Sequence, residues 1–80
     1  MSLYYFDLHE CGLVNPDTDG IEARDLEHVR EIAVTSARDI MSAEIAAGRL
    51  CLSCHIDVLD EARQPVMRIL FRDAVTITGL

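Results

Sequence analysis

Asp25 to Gly48 runs without proline, and its apolar residues fall at helical spacing. At about 100° per residue, Leu26, Val29, Ala33, Ala37, Ile40 and Ala47 share one arc. Glu31, Thr35, Arg38 and Ser42 lie opposite. Asp25 is placed as an N-cap, its carboxylate free to accept from first-turn amides. Glu27 and Glu31 sit near the positive end of the dipole. Gly48 can take the left-handed conformation that ends a helix. The stretch therefore predicts one amphipathic helix roughly 33 Å long. Its alanines allow close approach to a sheet. Val34, Met41 and Ile45 form a second stripe, suited to a sheet edge, the tail or a partner. Glu44 stands in the apolar arc, either as a buried acid or where the helix overruns the sheet.

One such helix cannot bury its own apolar face, so the flanking segments must cover it. Leu3 to His9 alternates as a strand, with Tyr4, Phe6 and Leu8 toward the helix and Tyr5, Asp7 and His9 away. Asn15 to Gly20 is a turn cluster. It matches the early positions of a calcium loop but has Leu26 where the bidentate glutamate belongs, so a plain turn is expected. Gly20 to Ala23 reads as a short strand with Ile21 inward. Leu50 to Asp60 reads as a long strand and Val66 to Arg72 as its hairpin partner. A two- or four-residue loop about Ala62-Arg63 pairs Leu59 with Val66, Val58 with Met67, Asp57 with Arg68, Ile56 with Ile69 and Cys54 with Phe71. This register keeps inward residues opposite inward residues. Val75 and Ile77 give the tail, Asp73 to Leu80, a strand-like alternation.

Eighty residues make one domain, 1–80, with a thin core. Fourteen acidic residues stand against seven basic ones, all arginine, for a net charge of −7. Such a chain repels phosphate backbones and anionic bilayers, so neither nucleic acid nor membrane is an expected partner. No apolar run reaches transmembrane length. Without a basic, apolar leader, a cytoplasmic location and free thiols are expected.

Cys51-Leu52-Ser53-Cys54-His55 matches the spacing of covalent haem attachment. On a strand, however, residues three apart face opposite ways. That geometry speaks against haem, and no cofactor is expected. A metal site is open to His9, Cys11, Cys51 and Cys54, provided the strand begins as late as Ser53 and the loops converge. His55 joins this set in the broader metal-binding or thiol-redox alternative. Cys51 and His55 would lie about 13 Å apart on an extended strand, too far for a nucleophile and its base. His28 has no evident partner. No phosphate loop or serine elbow is present. The outer sheet face would carry Tyr5, Leu59, Val66, Arg68 and Leu70 as a contact surface.

Tyr4-Tyr5-Phe6-Asp7-Leu8, Asp19-Gly20-Ile21-Glu22 and Asp25-Leu26-Glu27 together resemble a family of short proteobacterial domains. Gly48-Arg49-Leu50, Ile56-Asp57-Val58 with Asp60, and Leu70-Phe71-Arg72-Asp73-Ala74-Val75 extend the likeness over nearly the whole chain. The family is the domain of unknown function 6894 type. The resemblance implies no assigned activity. It implies no requirement for cysteine at 51 and 54, which would make the haem-like spacing incidental.

The expectation is an α+β fold in β-β-α-β-β order. Three or four antiparallel strands are packed on one face by the long helix. The expected function is a non-enzymatic interaction protein, associating with itself or another protein through the open sheet face or the tail. The alternative is a metal-binding or thiol-redox protein built on the cysteines and histidines.

Overall fold

A computed structural model describes residues 1–79. The strands are β1 (Ser2–Glu10), β2 (Leu13–Asn15), β3 (Ile21–Ala23), β4 (His55–Leu59) and β5 (Pro65–Leu70). The single helix, α1 (Leu26–Ala46), lies between β3 and β4, and a 3₁₀ turn over Phe71–Asp73 follows β5. All pairings are antiparallel, in the order β2-β1-β4-β5, with β3 also on β1. The fold is α+β as expected, with five strands rather than three or four.

The extra strand is β2. Cys11 and Gly12 both have positive φ, 49° and 80°, and close a two-residue hairpin between Glu10 and Leu13. Such turns favour Asn-Gly or Asp-Gly, so a cysteine in the first position hid the hairpin from the sequence. β3 meets the other end of β1, at Ser2 to Tyr4. Between β2 and β3 the Asp17 side chain bridges the gap. Its Oδ2 accepts from the Phe6 amide at 3.1 Å, and its Oδ1 accepts from the amides of Asp19 and Gly20 at 3.1 and 3.0 Å. Asp7 returns a contact, its Oδ1 accepting from the Asp17 amide at 2.9 Å. The Asn15 to Gly20 segment thus starts on the last residue of β2 and then bends, with the Asp17 carboxylate committed to backbone amides. In β3 the buried member is Ala23, whereas Ile21, expected inward, is exposed.

Asp25 caps α1 as expected, its Oδ1 accepting from the His28 amide at 2.8 Å. His28 is not free of partners: its Nδ1 accepts from the Arg24 amide at 3.0 Å. At the far end Gly48 has φ 86°. Val29, Ala33 and Ala37 are buried, as the arc required, together with Met41 from the flanking stripe. Leu26 and Ala47, at the two ends of the helix, are exposed. The helix packs on Cys54, Ile56, Val58, Ile69 and Phe71, with Ala23 and Ala74 at the margins.

The β4–β5 register matches expectation at Val58↔Met67, Asp57↔Arg68 and Ile56↔Ile69. Leu59, however, pairs with Pro65 rather than Val66, across a bulge. The Asp60 amide donates to Gln64 O and the Arg63 amide to Asp60 O, with Arg63 at φ 64°. The loop proper is therefore Glu61-Ala62-Arg63, of odd length. The bulge absorbs the extra residue and keeps each side chain on its expected face.

Two expected strands are shorter. Leu50 to Cys54 is irregular, and β4 begins only at His55. After Leu70 the chain turns into the 3₁₀ segment, although the Phe71 amide still donates to Cys54 O. The tail forms no strand among the described residues; Leu80 lies outside them. Ala74 and Val75 instead pack beside α1, and Arg38 Nε donates to Ala74 O at 2.7 Å.

Candidate functional site

Where β1 turns into β2, and where the post-helix loop enters β4, three cysteines meet. Cys11 is exposed in the hairpin turn, Cys51 is half-buried in the loop, and Cys54 is buried just before β4. Cys51 Sγ lies 3.8 Å from Cys11 Sγ and 2.7 Å from Cys54 Sγ. The Ser53 hydroxyl is 3.4 Å from Cys51 Sγ. All three thiols are free. The late start of β4 permits this. The strand argument that sent Cys51 and Cys54 to opposite faces is overturned, because the chain between them is not extended.

The thiols are unequal. Hydrogen bonds from Cys54 and then Ser53 bring Cys51 down to about 7. Burial, and then the neighbouring Cys51, push Cys54 up to about 12. Cys51 also raises Cys11. Negative charge in the cluster therefore settles on Cys51. Thiolates about 2.3 Å from a tetrahedral zinc stand roughly 3.8 Å apart. The Cys11–Cys51 separation meets that value, and the Cys51–Cys54 pair would need to open by about 1 Å.

His9 does not join the cysteines. It is directly opposite His55 across β1 and β4, and both rings lie on the open sheet face. The ring centroids are 4.5 Å apart and their planes differ by 15°. Both turn Nε2 toward Asp57 Oδ2, at 3.2 Å from His9 and 3.6 Å from His55. Arg68 holds the same carboxylate, with Nε 2.7 Å from Oδ1 and Nη2 3.2 Å from Oδ2. Partial burial works against the Asp57 charge, but Arg68, and then the histidines, outweigh it and hold the carboxyl below its ordinary value.

The structure thus divides the expected metal set. Cys11, Cys51 and Cys54 converge; His9 pairs with His55 and Asp57 instead. Sequence reasoning missed Asp57 as a partner of the histidines. The outward alternation of all three was visible, but the β1–β4 register that aligns them was not. None of the three sulfurs hydrogen-bonds to a histidine among the described residues, so no cysteine–histidine nucleophile forms. Glu44 is half-buried, with Oε1 shielded and unpartnered.

The expected contact residues also have partners of their own. Tyr5 lies under the Arg63 guanidinium, 3.6 Å from the ring centroid. Arg68 is committed to Asp57. Leu59 and Leu70 are half-buried, and Val66 is exposed at the bulge. No helix among the described residues is long and apolar enough to cross a membrane.

A family model described as Domain of unknown function (DUF6894) matches residues 3–72. No curated protein and no solved structure matches the chain.

Proposed function

We propose that this chain, which belongs to the family of the domain of unknown function DUF6894, is a small non-catalytic protein that binds a thiophilic d10 cation such as zinc. One observation carries the reading: three free thiols from two separate loops meet around one point. Cys51 supplies the first thiolate at neutral pH. Binding would draw the protons from Cys11 and Cys54, because the ligand form of cysteine is the thiolate. Three protein ligands leave a fourth tetrahedral position for water or an external ligand. Among the described residues the sulfurs hydrogen-bond to one another and to Ser53, which suits ligation better than catalysis. Free thiols of this kind would persist in a reducing compartment, and we propose the cytoplasm. Native mass spectrometry of protein purified without chelator tests it. One zinc at the thiols is expected, lost in Cys51→Ser and Cys54→Ser. Zinc uptake that is absent from the wild type, or unchanged by those variants, overturns the reading.

A second reading is self-association through the open sheet face. Tyr5 is opposite Leu59, Leu59 is opposite Pro65, and Val66 is exposed beside them. These residues lie at one end of that face, with the Arg63 guanidinium over Tyr5, and Leu70 lies at the other. Leu59→Glu with Leu70→Glu should turn a dimer into a monomer in sedimentation. A wild type that stays monomeric at high concentration removes this reading.

A further inference from the structure

The thiol cluster leaves a second constellation unused, and its chemistry is different. We infer that His9, His55 and Asp57 form a separate site for a borderline first-row divalent cation, zinc, nickel or cobalt, on the open face of the sheet. His9, His55 and Asp57 each bring one donor atom within 4.8 Å of the other two. Ligands about 2.05 Å from a tetrahedral ion stand roughly 3.3 Å apart. The observed separations from Asp57 Oδ2, 3.2 and 3.6 Å, bracket that value. Two imidazoles and one carboxylate are a frequent catalytic-type donor set that leaves a coordination position open.

An independent observation points the same way. His55 Nε2 is sealed from solvent, yet among the described residues it makes no close hydrogen bond, Asp57 Oδ2 standing off at 3.6 Å. A buried polar atom without a partner costs free energy, so one in a folded protein needs an explanation. A cation between His55 and Asp57 supplies one. The carboxylate is also held ready. Arg68 grips the carboxylate at both oxygens, Nε 2.7 Å from Oδ1 and Nη2 3.2 Å from Oδ2, and fixes its plane so that Oδ2 keeps a second lone pair for the histidine side, as outer partners orient metal-binding carboxylates. The Arg68 charge opposes a second cation. Asp7, opposite Asp57 across β1 and β4, and the net charge of −7 work in the other direction.

The backbone explains why the three residues are brought together, although the stacked rings, 15° apart, would have to splay for both to reach one ion. His9↔His55 is a cross-strand pair, and Asp57 follows His55 by two residues on the same face. All three ligands therefore stand on paired β-strands rather than on loops, unlike Cys11 and Cys51. The site does not depend on the thiol cluster being a metal centre.

Cobalt(II) titration with absorption spectroscopy separates the two sites. The wild type should take two equivalents. One should show a thiolate-to-cobalt charge-transfer band, and the other should show ligand-field bands without it. His9→Gln with His55→Gln should abolish only the second class, and Cys51→Ser with Cys54→Ser only the first. As a check independent of those variants, zinc added to the wild type should shift the ¹⁵N resonances of His9 and His55 Nε2 but not those of His28. The inference is overturned if the double histidine variant, folded by circular dichroism, binds cobalt as the wild type does. It is equally overturned if zinc leaves the His9 and His55 resonances in place.

Discussion

Asp17 shows how much one side chain can carry in a chain of this size. Its carboxylate accepts from the amides of Phe6, Asp19 and Gly20, and so closes the β1 edge where β2 has ended and β3 has not begun. Burial opposes its charge, but those amides and Arg63 outweigh it and hold its carboxyl below the ordinary value. Hydrogen bonds to a charged group contribute about 1.5–3 kcal/mol each in favourable cases. Asp17→Ala should therefore lower stability by about 2–3 kcal/mol in urea unfolding at neutral pH. The pH dependence has a definite sign. A carboxyl with a lowered folded value stabilises the protein fully above its unfolded value, about 3.9. That contribution is lost as pH falls through the lower folded value. Asp57 adds to the same loss, discounted for its exposed Arg68 partner. Asp17→Ala should thus flatten the acid limb of the stability curve below about pH 4. An unchanged acid limb would show that these carboxylates do not govern acid unfolding. Cys11 is the converse case. It sits at φ 49°, where a side chain costs about 1–2 kcal/mol and asparagine is better tolerated. Cys11→Asn should keep or slightly raise the melting temperature while removing one thiol. A fall of several degrees would mean that the sulfur itself holds the turn.

Among the elements, α1 was the most legible in the sequence. Its cap, its glycine stop and its apolar arc are local signals, and they found the right face through Val29, Ala33 and Ala37. Met41 is buried because the Phe71–Asp73 turn and Ala74 extend the cover sideways, beyond the reach of helical spacing. The β4–β5 register was legible because side-chain alternation constrains it. The bulge at Leu59 escaped notice because it repairs that alternation. The Cys11-Gly12 turn and the irregular Leu50 to Cys54 loop were not legible. Alternation continues through Leu50, Leu52 and Cys54 although the backbone is not extended there. The candidate site was therefore half visible: the cysteines could be named, but their convergence depends on where a strand starts. The fully buried alanines in α1 support a further prediction. At Ala37, with 0% exposure, an added isobutyl group has no room. Ala37→Leu should cost about 1–3 kcal/mol by overpacking, whereas the same change at exposed Ala47 should be nearly neutral. Equal effects at the two positions in thermal unfolding would contradict the close approach of helix and sheet.

For the whole molecule, thin burial makes stability responsive to ligand. The buried set is Ala23, Val29, Ala33, Ala37, Met41, Cys54, Ile56, Val58, Ile69, Phe71 and Ala74, and four of these are alanine. A core so poor in large side chains leaves a small margin between folding and unfolding. The two candidate metal sites lie at the end of the molecule where four segments meet: the β1–β2 turn, the loop after α1, the start of β4 and, through Phe71, the end of β5. A cation bound to the native thiol cluster would tie these segments together and shift the folding equilibrium by mass action. At free zinc about 100-fold above the dissociation constant, the gain is about 2.7 kcal/mol. In a domain of this length each kcal/mol moves the midpoint by about 4–8 °C, so zinc should raise it by about 10–20 °C. Cys51→Ser should remove most of that gain without changing the apo midpoint by more than a few degrees, because Cys51 is only half-buried. Thermal melts of both proteins with zinc and with chelator make the comparison. The direction in the variant is decisive. If zinc raises both midpoints equally, the stabilising ion sits away from the thiols, at the histidine pair or elsewhere. If zinc raises neither, the three sulfurs are near neighbours without being ligands.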